Sequence, residues 1–384
     1  NPDQVVVAFV TYNDHGNNLY IDNLALGSRP GVSDLTITAI DNIPPGTYIT
    51  PGSSPVKIFP KVHITNIGLQ QNPDTSLYAY LRINTLSYLD SVLIESPLPA
   101  GGGKKIQFYF IFVSPGTGVD FFAYLRASGD TLQYNDSIYQ WTFFQEGFQR
   151  NVLFQEFTSA TSFGCAVNNV GMNNFINDNF DSIVAIKYPW GVPSPNDSMY
   201  LSSKVQMDSL VSYFNAAFVP LSYADGNTFI SLPYTTDSLL NAPYRYRRNI
   251  GAPISISVSD SISGNTVTSQ IDINIPAQLP PGNYRLNPNV LQRVVAFDTI
   301  PTNWFDSTFY DVFRKALPGI HGVPIQTSAG TQSFTFTYNI QAGWNASQIF
   351  TAAFVENEET REVLNSAKGG NFTPVRIPPV SNLN

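Results

Sequence analysis

The stretch Val152 to Ala166 constrains this chain more than any other. Val152-Leu153-Phe154-Gln155-Glu156-Phe157 is a short apolar run of strand length, Thr158 to Ser162 is a polar turn, and Gly164-Cys165-Ala166 opens a segment of helical composition. Strand, turn and helix in that order commit this part of the chain to a mixed α/β sheet. It is also how a redox dithiol is presented, with Cys-x-x-Cys placing two sulfurs across one helical turn. Here the first position is Ser162 and the second is Cys165, the only Cys in 384 residues. The frame of a dithiol is present without its attacking thiol.

Flanking sequence is of another kind. Residues 29–147 and 251–375 are runs of alternating or apolar residues separated by Gly, Pro and Asn, which predicts strand after strand. Leu77 to Ile83, Ser91 to Ile94, Lys105 to Val113, Asp120 to Ala127, Thr266 to Ile275, Val290 to Phe297, Gln332 to Asn339 and Ile349 to Val355 are the clearest. Between these blocks, residues 148–250 mix strands with helices expected at Cys165–Asn177, Met199–Asn215 and Thr236–Arg248, the last interrupted at Pro243. One further helix is expected at Trp304–Ala316. Residues 1–28 hold two apolar runs around Asn13-Asp14-His15-Gly16-Asn17-Asn18, a hairpin signal, and residues 376–384 read as an extended linker stiffened by Pro378-Pro379. The fold class is therefore multidomain and mainly β: a hairpin at 1–28, a β-sandwich at 29–147, an α/β domain at 148–250, a C-terminal β-sandwich at 251–375 and a linker.

Composition narrows the function classes. Charged residues make up 12% of the chain, about half the usual fraction, while Phe (27), Tyr (20), Pro (28) and Gly (26) are abundant. This suits a turn-rich extracellular β protein. A net charge of −8 argues against nucleic acid and anionic membrane as partners. The Arg245-Tyr246-Arg247-Arg248 run is too short for a basic patch, and no apolar run approaches the ~18 residues of a membrane-spanning helix. One Cys allows no internal disulfide. The sequence starts at Asn1 without Met and reads as a mature or fragmentary chain.

Three segments resemble known families. Asn17 to Leu24 resembles the closing strand of jelly-roll, lectin-like domains of bacterial surface proteins. Residues 29–147, with the turn Asn66-Ile67-Gly68 and the closing Gly129 to Asp136, are similar to immunoglobulin-like adhesion modules of bacterial surfaces. From 148 onward the order Glu156-Phe157-Thr158, Ser162 and Cys165, Lys187-Tyr188, Val219-Pro220, Asp225-Gly226, Arg314 with Leu317-Pro318-Gly319, and Phe354-Val355 resembles the Omp28-related family of secreted Bacteroidota proteins. That resemblance implies a thioredoxin-like half in which Pro220 is a cis-proline facing the dithiol position, followed by a β-rich half. It also implies a redox function, for which Ser162 lacks the attacking thiol of the family's pattern.

Other candidate sites are weaker. His15, His63 and His321 share no metal-ligand spacing, and there is no Gly-x-Ser-x-Gly elbow. Asp14, Asn17 and Asp22 offer hard oxygens for Ca²⁺, although Asn and Asp favour such turns without any ion. Asp followed by Ser or Thr and then an aliphatic residue, Met or Thr occurs ten times, which resembles the O-glycan acceptor motif of secreted Bacteroidota proteins. The attachment points would be Ser91, Thr131, Ser137, Ser182, Ser198, Ser209, Ser238, Ser261, Thr299 and Ser307. Ordinary turn and cap chemistry uses the same residues.

The expectation is a secreted or cell-surface structural or adhesive protein with a redox-degenerate scaffold, no enzyme activity and no cofactor. Its partners would be other protein modules, copies of itself, or glycans. The alternatives are a monothiol exchange protein acting through Cys165, or a carbohydrate-binding protein using Trp190, Trp304 or Trp344.

Overall fold

The computed structural model describes residues 32–41, 43–73, 77–95, 97–127, 130, 133–234, 237–297, 307–370 and 372–374. The hairpin expected at 1–28, with Asp14, Asn17 and Asp22, and the linker at 376–384 lie outside them. The fold is mainly β and multidomain, with two compact units divided between Phe148 and Gln149.

The first unit comprises β1 (Leu35–Asp41), β2 (Gly46–Pro51), β3 (Val56–Ile58), β4 (Lys61–Asn66), β5 (Leu77–Ile83), β6 (Tyr88–Ile94), β7 (Gly103–Gln107), β8 (Ile111–Val113), β9 (Thr117–Arg126) and β10 (Ser137–Gly147). A three-stranded sheet β1-β4-β7 and a five-stranded sheet β2-β10-β9-β5-β6 share one core, with β3-β8 as a separate pair. Period-2 alternation sends Leu77, Ala79, Leu81 and Ile83 of β5, and Val119, Phe121, Ala123 and Leu125 of β9, inward to meet Leu35, Ile37, Val62 and Ile64. Two sheets facing across one apolar layer make a sandwich. The strand expected over Lys105–Val113 is two strands: β7 pairs with β4, the chain leaves that sheet, and β8 pairs with β3. At the Asn66 turn the side-chain oxygen accepts from the Gly68 amide at 3.1 Å, and a Cβ on Gly68 would collide with the Val32 carbonyl, so only glycine fits there.

The second unit comprises β11 (Val152–Thr158), α1 (Phe163–Asp178), β12 (Ile183–Pro189), α2 (Ser198–Leu201), α3 (Lys204–Phe214), β13 (Leu221–Ala224), β14 (Thr228–Ile230), α4 (Asp237–Asn249), β15 (Ser255–Ser263), β16 (Thr266–Ile275), β17 (Tyr284–Ala296), β18 (Thr308–Ala316), β19 (Val323–Pro324), β20 (Gly330–Asn339), β21 (Ile349–Asn357) and β22 (Val363–Lys368). One sheet runs β14-β13-β11-β12-β18-β17-β21-β22, with β19 also on β17. The domain boundary expected at residue 250 is thus crossed by a continuous sheet, joined where β12 and β18 lie parallel at Lys187 and Val312. A second sheet, β15-β16-β20, packs Ile271, Ile273 and Ile275 on Leu286, Ala353 and Val355 of the first. The C-terminal sandwich therefore exists, but one of its two sheets continues into the α/β half. Helices α1 and α4 cover one face of that half through Met172, Phe175 and Leu240, and α3 covers the other through Met207, Leu210 and Phe214.

Three helical expectations change. Of the helix expected at Trp304–Ala316, the described residues Thr308–Ala316 form strand β18, antiparallel to β17. Its Phe309 to Arg314 run is buried on both faces, so period-2 alternation is hidden and the apolar pattern mimics a helix. Met199–Asn215 is two helices, because Ser203 takes a non-helical backbone between them. Pro243 does not interrupt α4, which continues to Asn249. Past the proline, Arg247 is anchored by tertiary ion pairs.

That anchor is Asp225, at the turn after β13. Its buried carboxylate accepts from Arg247 Nε at 2.8 Å, Arg150 Nη1 at 3.1 Å and the Leu153 amide at 2.8 Å. Arg150 Nη1 also donates to the Val363 carbonyl at 2.6 Å, and the Asp225 carbonyl accepts from the Val363 amide at 3.1 Å. The network binds β22, last in the sheet order, to the beginning of β11. Asn365 Oδ1 accepting from the Asn151 amide and Ser366 Oγ donating to the Asn151 carbonyl extend the seam. Removing one member of a buried ion network leaves the others uncompensated. Asp225→Ala is expected to lower unfolding free energy by about 3–5 kcal/mol in urea titration. The exposed pair of Lys204 with Asp208 should be dispensable, so Lys204→Ala leaves the midpoint unshifted.

Candidate functional site

The dithiol position is built from four segments. At the start of α1, Ser162 takes the cap position and its hydroxyl accepts from the Cys165 amide at 3.3 Å. The preceding turn is held from a distance by Asp197, whose buried carboxylate accepts from the Ala160 amide at 2.7 Å and from Ser159 Oγ at 3.2 Å. The other Asp197 oxygen caps α2 through the Met199 amide at 2.9 Å. The Val219–Pro220 bond is cis, and Pro220 packs beside Gly164 in the first turn of α1, with its Cδ 3.6 Å from where a Cβ would stand. Ser162, Cys165 and Pro220 are thus brought to one place.

Below them the helix and sheet enclose polar groups. Glu156 on β11 meets the Lys187 ammonium of β12 at 3.0 Å, with both side chains buried. Lys187 also donates to Asn173 Oδ1, and Asn168 Oδ1 accepts from the Tyr234 amide at 2.8 Å. Asn173 thus ties α1 to β12, and Asn168 ties it to the loop between β14 and α4.

Cys165 lies in this interior with no exposed surface. Burial pushes its thiol up to about 11, against smaller opposing hydrogen bonds from Ser162 and Thr158. At neutral pH roughly one thiol in ten thousand would be ionised, and the thiolate is the reactive form. The arrangement can cap a helix and fill a core. It cannot form a disulfide within the chain.

The other candidates scatter. Of the ten Asp-Ser/Thr hydroxyl positions, Ser91, Ser137, Ser198, Ser209 and Ser261 are exposed and Ser307 is half-buried. Ser182 is engaged with Tyr244 at 2.7 Å and with the Asn179 carbonyl at 3.0 Å. Thr131 and Thr299 lie outside the described residues, and Ser238 is placed in α4 by its backbone alone. Several of the motif's aspartates have structural duties: Asp197 as above, Asp130 by accepting from the Leu35 amide at 2.6 Å, and Asp260 by accepting from Ser269 Oγ at 2.6 Å. Burial and then Asp130 push the Asp136 carboxyl up to about 7. His63 and His321 stand in different units, and His321 pairs with Glu358 at 2.8 Å. Among the described residues no cluster of His, Cys, Asp and Glu suits a metal ion, and no helix is long and apolar enough to cross a membrane.

No protein-family model matches the sequence, and no curated protein matches it. Solved structures do. HBP35 of Porphyromonas gingivalis is similar over 62% of this chain and 81% of its own, with 12% identity and a TM-score of 0.50. An Agrobacterium tumefaciens protein covers 60% of this chain and 98% of its own at 14% identity and a TM-score of 0.40. A domain of the outer membrane lipoprotein Omp28 from P. gingivalis covers 30% and 86% at 18% identity and a TM-score of 0.24. The likeness to HBP35 is one of fold.

Two outcomes test this chemistry. Cys165 should resist an aromatic disulfide reagent in the native chain and react fully in guanidinium; rapid native labelling would show an accessible thiol. A second group titrates near neutrality. Burial on β21 pushes the Glu356 carboxyl up to about 7 from 4.5, although Tyr213 donates to it. Between those values the folded chain keeps a proton that the unfolded chain has lost, so stability falls as pH rises through the window. The contribution is on the order of 3 kcal/mol. Glu356→Gln should make this part of the stability profile shallower, the rest of the slope coming from Asp136, measured as melting temperature from pH 4.5 to 7.

Proposed function

We propose that the chain is part of a bacterial cell-surface protein with a structural or adhesive role, acting through its surfaces and not through covalent chemistry. In this reading the first unit is an immunoglobulin-like module. The second is a thioredoxin-like α/β scaffold fused to a β-sandwich, and the location is extracellular. Low charge and abundant aromatics support that location. The exposed serines of the Asp-Ser motif are proposed glycan sites, which would add solubility that 12% charge does not supply.

The observation that carries the reading is the outward face of the five-stranded sheet. Register places Tyr80 beside Tyr124, Tyr139 beside Phe122 and Arg82 across from Phe122. Tyr80 and Tyr124 stack with centroids 5.0 Å apart, and Arg126 lies over the Tyr80 ring at 5.4 Å. Tyr139 is 63% exposed, Trp141 48% and Leu89 65%. A sheet face that carries rings and aliphatic side chains where alternation would put polar ones is an interaction surface.

A monothiol exchange protein is the competing reading. Its thiol would have to act from full burial and with a raised pKa.

The test is binding of the intact chain to immobilised bacterial envelope, against the variant Leu89→Ser/Tyr139→Ser/Trp141→Ser. All three residues are exposed, so the melting temperature should hold while retention falls about fivefold or more. Equal retention by the two proteins would remove the adhesive role. Disulfide reduction that is lost in Cys165→Ala would instead establish the thiol reading.

A further inference from the structure

Away from the dithiol position, the second unit holds an open cavity of about 700 Å³, within the size range of ligand sites. Strands β17 and β18, helix α2 and the loop 341–348 contribute to its walls. Its most unusual member is Arg314. The side chain is 7% exposed, yet among the described residues it meets no carboxylate. The other deeply buried guanidiniums each do: Arg150 and Arg247 pair with Asp225, and Arg293 with Asp311. Burying an uncompensated cation is costly, and burial lowers the Arg314 pKa to about 10.

The guanidinium is nonetheless held in one orientation. Its Nε and Nη2 donate to Gln292 Oε1 at 3.2 and 2.8 Å, and Nη1 donates to Ser202 Oγ at 3.0 Å. Gln292 is itself fixed, its amide donating to the Val294 carbonyl at 2.9 Å while Oε1 also receives the Asn345 amide at 3.5 Å. Among the described residues, two of the five guanidinium N–H groups have no partner, one on each terminal nitrogen. A donor on each terminal nitrogen is what a carboxylate uses when it binds a guanidinium with two bonds.

The other walls are neutral. Trp344 packs against the core of Val290, Leu317, Tyr338 and Ile340 and is half-buried, so it lines the cavity as a backed, rigid surface. Gln341 and Gln348 bring primary amides that donate to and accept from hydroxyls. No Asp or Glu is among the described residues of the lining. A buried cation, an aromatic plate and neutral amides are complementary to an anion carried on a hydroxylated ring.

We propose that this cavity binds an acidic saccharide, a hexuronate residue with its carboxylate on Arg314 and its ring against Trp344. The site is independent of the aromatic face in the first unit. Calorimetric titration of the intact chain tests it, with oligogalacturonate as probe, the neutral galacto-oligosaccharide of equal length as the uncharged arm, and acetate as the bare-anion arm. The uronate should bind about tenfold or more tighter than the neutral sugar and raise the melting temperature, and acetate should not compete at equal concentration. Arg314→Gln should erase the preference for the acidic sugar. Because that side chain is buried, Trp344→Ala and Gln341→Ala serve as loop variants; each should weaken uronate binding with the fold intact. Absence of uronate binding, equal affinity for the acidic and neutral sugars, or full competition by acetate would each overturn the proposal.

Discussion

A single buried carboxylate sets the form of the second unit. Asp225 collects Arg150 from the strand entrance, Arg247 from the end of α4 and the Leu153 amide from β11, while its own backbone holds Val363. Each group comes from a different part of the chain. Two guanidiniums beside Asp225 are tolerable in the interior because Arg247 also meets the Glu362 carboxylate at 2.9 Å and the remaining donors reach carbonyls, Val363 and Gly251 for Arg150 and Val363 for Arg247. The turn itself demands special residues. Asp225 and Gly226 both have positive φ, and a Cβ at Gly226 would collide with the Arg361 carbonyl. Closing the turn, seating the arginines and docking β22 are therefore one event.

The same logic holds the segment around Ser162 and Cys165 in place. The turn before α1 is positioned by Asp197, the helix start by Ser162, and the helix underside by Asn168 and Asn173. None of these contacts needs a second sulfur. Ser162 caps the helix, and Cys165 is a buried small side chain, a role in which free cysteine is common. The buried pair of Glu156 and Lys187 stays balanced as long as both partners are present.

Legibility followed the physics of each element. Strands with one wet face, such as β5 and β16, show their alternation and were readable to the residue. Strand β18 is buried on both sides and carries no alternation, so its apolar run was read as a helix. Ser162 and Cys165 lie one helical turn apart by spacing alone, whereas a place for Pro220 beside them is what the family resemblance implies. Asp197 and Asp225 were visible only as turn residues or parts of short motifs; their partners lie far away in sequence, Arg150 75 residues from Asp225 and Ala160 37 from Asp197. The Arg314 cavity is assembled from α2, β17, β18 and a loop near residue 344, and no local pattern announces it. The break expected at 250 rests on a change from mixed strands and helices to strands alone, which marks where the pattern changes and not where a sheet ends.

The sheet that runs from β11 to β22 makes the strands before and after residue 250 one cooperative body. Native-state hydrogen exchange on the full chain, followed by peptide mass spectrometry under increasing denaturant, measures this directly. The account requires that amides of β11 and β12 and amides of β17 and β21 merge into one opening event of the same free energy and denaturant dependence. Two separate events, with the strands before residue 250 opening while those after it stay protected, would contradict it.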